Sequence, residues 1–129
     1  MTNFISPTSV AAHYFRPAEY EDAIAVVLKP RAIMPTGADG KPEVLCSAVI
    51  FDTEESLDAA TPTRVLPDTI VNVGVIYKQL VRTFDQGGVL PGYIAQGAMT
   101  THGTKPWIIE ALDPEDQAQA EKAWNLVTA

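Results

Sequence analysis

The hydrophobic and polar positions divide the chain into five apolar, strand-like segments and two amphipathic helices. Between the third and fourth segments the period changes, because apolar residues from Ile76 to Phe84 recur at helical spacing and predict a helix of about three turns. Gly87 and Gly88 end that helix. The strands are predicted, from their β-branched and apolar content, at residues 24–34, 44–51, 68–75, 89–96 and 107–112.

Proline and glycine mark the connections between these segments. Residues 35–42, PTGADGKP, predict a hairpin turn, because Asp-Gly is a dipeptide typical of such turns. Pro30 lies inside the first strand, and since proline donates no backbone hydrogen bond, we expect an edge or a bulge there. Residues 52–67 are polar and hold two prolines, which predicts a long connection, and residues 1–20 are expected to be an irregular lead-in.

A second helix is predicted from Asp113 to the end of the chain. Asp113 suits a helix cap, Pro114 the first helical position, and Glu115 and Asp116 the positive end of the helix dipole. The order of three strands, one helix and two strands is typical of the five-stranded OB-fold barrel, although other five-stranded arrangements fit the same order. The sequence therefore predicts a mostly β protein with a barrel at 21–112 and an appended helix at 113–129.

The composition fits one folded unit and restricts what it binds. The chain has 129 residues, of which 47% are hydrophobic and 19% charged, enough for a single core. Lysine and arginine number 9 against 16 acidic residues, and the net charge of -7 argues against a protein held to nucleic acid by bulk charge alone. Residues 51–60 and 110–129 each carry -4 and the remainder +1, so a local cationic path stays open.

No feature of the sequence indicates export or membrane insertion. Cys46 is the single cysteine, which excludes an internal disulfide. The first ten residues have neither a basic residue nor an apolar run, and the longest apolar stretches are too short to cross a bilayer. We therefore expect a soluble protein of the cytoplasm.

Catalytic signatures are also missing. His13 and His102 are the only histidines, and with one cysteine they form no spaced metal cluster, so we expect neither metal nor cofactor. Asp52, Glu54 and Glu55 offer carboxylates for acid–base work, but acids in a proline-flanked loop are usually solvated. No GxSxG elbow occurs. The expected protein is not an enzyme.

An OB barrel binds ligands on its second and third strands and on the loops that join strands 1–2 and 4–5. Single strands need cations along a groove and aromatic rings on which bases stack. Trp107 fits a buried core position as well as a stacking one, the orientation of Tyr93 is ambiguous, and Lys29 with Arg31 also fits an ordinary solvated strand. The candidate DNA contacts are Lys29, Arg31, Lys41, Arg64, Tyr93, His102, Lys105 and Trp107.

Three short stretches extend this interpretation. They are residues 15–18 (FRPA), 89–93 (VLPGY) with Gln96-Gly97, and 105–108 (KPWI) followed by the acidic helix start at 113–116. On these stretches the chain resembles small OB-fold single-stranded DNA-binding proteins encoded by phages of actinobacteria. The resemblance implies that the protein coats exposed strands without sequence preference during replication or recombination. Tyr93 departs from the pattern, which favours a basic residue there.

Two functions are therefore expected. The first is sequence-tolerant binding of single-stranded DNA, with replication or recombination proteins and further copies of the chain as additional partners. The alternative is an OB-like interaction or assembly module that binds no nucleic acid and pairs an edge strand with a partner chain, in which case Pro30 and Pro91 mark protected edges.

Overall fold

The computed structural model describes residues 13–34, 42–72 and 74–128. Six strands there form one sheet: β1 (His13–Tyr14), β2 (Ala25–Met34), β3 (Glu43–Phe51), β4 (Arg64–Val71), β5 (Leu90–Gln96) and β6 (Trp107–Glu110). Three α-helices accompany the sheet: α1 (Glu54–Asp58), α2 (Gly74–Asp85) and α3 (Pro114–Thr128). A short 3-10 helix covers Pro17–Tyr20. None of the described helices is both long and apolar enough to span a membrane.

The strand order across the sheet is β1-β4-β3-β2-β5-β6. All neighbours are antiparallel except β1 and β4, which run parallel. Among the described residues β4 and β6 do not pair, so the sheet is open and the predicted closed barrel is not confirmed. The two-residue β1 occupies the outer edge of β4 instead, and the Phe15 N–H continues the ladder by donating to the Ile70 carbonyl at 2.8 Å.

The larger core lies on the face of the sheet that α2 covers. Val26 and Cys46 point into it from β2 and β3, and Ile76 and Leu80 close it from the helix, all of them fully buried. The helical stripe predicted from the sequence is thus confirmed up to its last member, because Phe84 is 38% exposed. Burial also raises the pKa of the Cys46 thiol to about 12, which makes that thiol inert.

A second core fills the opposite face of the sheet, under α3 and α1. Ala120, Ala123 and Trp124 of α3 pack against Val27 and its neighbours on the central strands. Asp113 caps α3 as predicted, since its carboxylate accepts the Asp116 N–H at 2.9 Å. With a helix on each face, the central strands are buried on both sides, which explains their nearly continuous apolar sequence.

The two halves of β2 have different surroundings. Val26, Val27 and Leu28 pair with β3 on one side and with β5 on the other. Beyond Leu28 the described residues give the strand only β3 as a paired neighbour, and the register shifts between Pro30 and Ala32. The bulge expected at Pro30 is therefore confirmed.

The outer edge of β6 is closed by a side chain of α2. The Gln79 amide donates from Nε2 to the Ile109 carbonyl and accepts the Ile109 N–H at Oε1, both at 2.9 Å. One side chain thereby satisfies both backbone groups that a neighbouring strand would otherwise pair. This contact explains why Gln79, a polar residue of α2, is half-buried.

The N-terminal segment is held by a chain of contacts across the sheet edge. The rings of Phe15 and Tyr20 stack with centroids 4.6 Å apart, and the Arg64 guanidinium lies 4.7 Å from the Tyr20 centroid. Arg64 also binds the Asp52 carboxylate through Nε at 3.0 Å and an Nη atom at 2.7 Å. His13 adds a 2.8 Å hydrogen bond between Nδ1 and the Thr69 hydroxyl.

Three segments differ from the sequence prediction. Residues 52–67, expected to be one long connection, contain α1 and the start of β4. Thr53 caps α1 by accepting the Ser56 N–H at 3.1 Å, a local signal that the two prolines obscured. The strand predicted at 68–75 begins earlier and ends at Val71. The lead-in at 1–20 contains β1 and the 3-10 helix.

Candidate functional site

A cleft with an aromatic wall lies where the two ends of the sheet approach each other. We call it the Trp107 cleft, and its volume is about 440 Å³. Trp107, the first residue of β6, is half-buried, packs against the larger core and lines the cleft. The other lining residues come from β1, from the segment that leads into the 3-10 helix and from the residue after β4. The lining residues are Tyr14, Phe15, Arg16, Pro17, Ala18, Asn72 and Trp107.

Two polar side chains in the Trp107 cleft have donors to spare. Arg16 is exposed and Asn72 half-buried. Neither side chain makes a hydrogen bond or ion pair with another residue in the part of the chain that the structure describes. A guanidinium, an amide and an indole ring therefore border one open volume, which suits a planar ligand that carries negative charge.

The elements around the Trp107 cleft add positive potential. α2 begins at Gly74, two residues beyond Asn72, and its first turn contains no acidic residue to offset the positive end of the helix dipole. Lys105 lies in the loop that leads into β6, and at most about 7 Å of backbone separates it from Trp107. His102 is exposed in the same loop. None of these groups forms a described ion pair.

A second opening, the β2 groove, runs along the unpaired half of β2 with a volume of about 790 Å³. Lys29 and Arg31 project into it, as their spacing predicted. Phe84 and Trp124 contribute aromatic walls from the ends of α2 and α3. The sequence pattern had placed Phe84 in the core, not in a groove.

The charges of the β2 groove are less favourable to an anion. Arg31 forms an ion pair with Asp68 and donates to the Pro67 carbonyl at 3.1 Å, so its charge is largely used within the protein. Lys29 has no described ion pair. The C-terminal ends of α2 and α3, which carry partial negative charge, both border the groove. A single lysine without a described ion pair thus faces two helix ends that both carry partial negative charge.

Arg64 and Tyr93 line neither opening, and neither do His102 and Lys105. Arg64 is engaged by Asp52 and Tyr20, and its hydrogen bond to the Asp52 carboxylate lowers the pKa of that carboxyl. Tyr93 is 38% exposed but points to the opposite face from Trp107, since it pairs with Glu110 and β-strand side chains alternate. Lys41 lies outside the described residues. The predicted set is therefore divided among several surfaces.

Sequence reasoning missed two residues of the Trp107 cleft. Arg16 belongs only to the FRPA stretch, and Asn72 falls inside the strand predicted at 68–75. Their role depends on the parallel pairing of β1 with β4, a contact between residues 56 positions apart, as in His13 and Thr69. The local signal was the position of Arg16 beside an aromatic residue ahead of a proline turn.

Comparisons with known proteins identify no relative of this chain. Neither protein-family models, nor curated proteins, nor solved structures gave a match to the chain. Within the described residues no group of three or more histidine, cysteine or acidic side chains is placed to hold a metal ion.

The acidic segments meet away from the Trp107 cleft. Gln119 of α3 donates to the Leu57 and Asp58 carbonyls at the end of α1, at 3.1 and 2.8 Å. Burial, and next the neighbouring Asp113, raise the pKa of Asp116, with smaller contributions from Asp58 and Glu54. Four acids of these two regions, Asp113, Asp116, Asp58 and Glu54, therefore lie close enough to interact where α1 meets α3.

Proposed function

We propose that the protein binds single-stranded DNA, without catalysis, by stacking a base on Trp107 and contacting phosphates with Arg16 and Lys105. The observation that carries this proposal is the Trp107 cleft, where an indole ring and an unpaired guanidinium border the same volume. Base stacking beside cations is how single strands are bound with little sequence preference. A role in phage-type replication or recombination is the part of the proposal that depends on the sequence resemblance.

The sheet order supports the same proposal. We propose that the order β4-β3-β2-β5-β6 is an OB arrangement opened between its third and fifth strands, with β1 on the freed edge of β4. The β5–β6 loop then corresponds to the loop between strands 4 and 5, which contributes to ligand binding in OB-folds. That loop carries His102 and Lys105 and enters the cleft at Trp107.

The test is the salt dependence of binding to a fluorescent oligothymidylate. Each phosphate contact on a single strand contributes about 0.7 to the slope of log K against log salt. We expect Arg16→Ala with Lys105→Ala to weaken binding and to reduce the slope by about 1.4. The matched control is Lys78→Ala with Arg82→Ala, which removes two exposed cations of α2 that neither line the Trp107 cleft nor lie in the loop that leads to Trp107.

Two outcomes would contradict the proposal. Equal affinity for duplex and single strand would show that unstacked bases are not being read. An equal slope reduction in the control pair would show that binding depends on overall charge, not on the cleft. Circular dichroism of each variant confirms that the fold is retained.

The unpaired half of β2 favours a second function, an interaction module that accepts a strand from a partner chain. From Lys29 to Met34 the strand pairs only with β3 within the part of the chain that the structure describes, and an open edge of this kind can be extended by another extended chain. This function predicts a stable protein complex, increased hydrogen-exchange protection at residues 29–34 in that complex, and no affinity for oligonucleotides. Pro91 pairs with Val27 of β2, and the described pairing of β5 with β6 begins only at Tyr93, so a protected edge at Pro91 stays part of this proposal.

A further inference from the structure

The Trp107 cleft contains more chemistry than sequence-independent stacking requires. A ring and a cation suffice to hold any base and its phosphate. Asn72 adds an amide with one donor side and one acceptor side, and it has no partner elsewhere in the described chain. The Asn72 amide is half-buried and lines the cleft, so a ligand edge that offers one donor and one acceptor can pair with both sides of it.

We propose that the Trp107 cleft holds one deoxyadenylate unit in a defined orientation, a proposal that rests on the same site as the DNA-binding function. The base stacks on Trp107, and Arg16 binds the phosphate through its guanidinium. The Asn72 amide accepts from the adenine N6 amino group and donates to N7.

Adenine fits this set better than the other bases. Asparagine pairs in two hydrogen bonds with the adenine N6 and N7 edge, whereas guanine presents two acceptors there, which suit arginine or lysine. Pyrimidines offer a smaller ring for stacking on the indole. The cleft volume of about 440 Å³ lies in the range of small-molecule pockets, which suits one nucleotide unit.

The experiment follows the two indole N–H signals by NMR while each of the four deoxynucleoside monophosphates is added. Trp107→Phe assigns the signals, because Trp124 is the only other tryptophan. We expect dAMP to shift the Trp107 signal to saturation, at a lower concentration than dGMP, dCMP or TMP. Arg16→Gln should weaken dAMP binding at least about tenfold, since it removes a charge-assisted contact. Arg82→Gln, an exposed arginine of α2, is the matched control and should change nothing.

Asn72→Ala tests the selectivity by itself. We expect this variant to bring the four nucleotides to within about twofold of one another, because stacking and the phosphate contact remain. If wild-type protein already binds all four equally, or if dAMP gives no saturable shift of Trp107, the adenylate proposal is wrong.

Oligonucleotides separate this inference from the proposed function. Equal binding of (dA)8, (dC)8 and (dT)8, with all three shifting Trp107, would overturn the adenylate preference and leave single-strand binding intact. Saturable dAMP binding without affinity for any oligomer would support a free-nucleotide site and contradict the proposed function. Binding of (dA)8 ahead of the others, abolished as a preference by Asn72→Ala, would support both.

Discussion

The two halves of β2 show how one strand serves both the core and the surface. Val26, Val27 and Leu28 are at most 1% exposed, lie between β3 and β5, and are covered by a helix on each face. Lys29 and Arg31, the next outward-facing residues, lie on the half that has lost β5 as a neighbour. The change occurs within two residues and coincides with the bulge at Pro30.

The comparison shows that a continuous apolar run indicates how many layers cover a strand, and does not mark where the strand begins or ends. A continuous apolar run appears where helices cover both faces, and charged residues appear as soon as one neighbour ends. The polar half of β2 is therefore a consequence of where β5 begins. Charge on a strand is by itself weak evidence for a ligand, and at Arg31 the charge is used within the fold by Asp68.

Substitutions on either side of this boundary test the comparison, and they have the largest expected effect on the free energy of unfolding. Leu28→Ala should lower the free energy of unfolding by about 3 kcal/mol, because it leaves a cavity in a fully buried layer. Lys29→Ala, one residue away, should change it by less than about 0.5 kcal/mol. Urea denaturation measures both, and similar losses for the two variants would show that the halves of β2 are equally packed.

A second test concerns the edge of β6, where a side chain replaces a neighbouring strand. Gln79→Ala should destabilise the protein by about 2 kcal/mol, because the Ile109 N–H and carbonyl lose both partners at the edge of β6. Lys78→Ala on the same helix is the control and should stay within about 0.5 kcal/mol. Hydrogen exchange at Ile109 gives the local readout, and unchanged protection of that amide in Gln79→Ala would rule out the edge-closing role.

The smallest effect is expected at Asp52, on the edge that β1 covers. Its hydrogen bond from Arg64 lowers the pKa of Asp52, so the stabilisation is present above the unfolded value of about 3.9 and is lost as pH falls through the lower folded value. Asp52→Asn should therefore cost under about 1 kcal/mol at pH 7, since the pair is partly exposed, and almost nothing near pH 2.

Denaturation at both pH values checks this dependence. Glu55→Gln, an exposed acid of α1 without a described ion pair, is the control and should lose less at pH 7. An equal loss for Asp52→Asn at both pH values would show that the hydrogen bond to Arg64 is not what stabilises this edge.

Features encoded by neighbouring residues were predictable from the sequence. The cap at Asp113, the end of α2 at Gly87 and the bulge at Pro30 each depend on residues within one turn or one strand pair. The Gly88 N–H donates to the Thr83 carbonyl at 3.0 Å, which completes a helix end that two glycines had already indicated.

Features that depend on distant pairing were not predictable in this way. No local pattern reveals that β1 adds to the edge of β4, or that Gln79 reaches Ile109. The predicted site was affected most: Trp107 was found from its position, but Arg16 and Asn72 reach it through that parallel pairing. Arg64 was chosen for its charge, and its engagement with Asp52 depends on how β4 pairs with β3.

The two-residue β1 strand joins one side of the Trp107 cleft to the edge of the sheet. Among the described residues it is held by its parallel pairing with β4, the backbone hydrogen bond from Phe15 to Ile70, the hydrogen bonds between His13 and Thr69, and the buried Phe15 ring. Local opening of this segment exposes the Phe15 amide to hydrogen exchange. A ligand that binds only the closed segment would slow hydrogen exchange at the Phe15 amide by the factor 1 + [L]/Kd. The exchange rate of the Phe15 amide, which donates to the Ile70 carbonyl, would thus measure how much of the cleft is occupied.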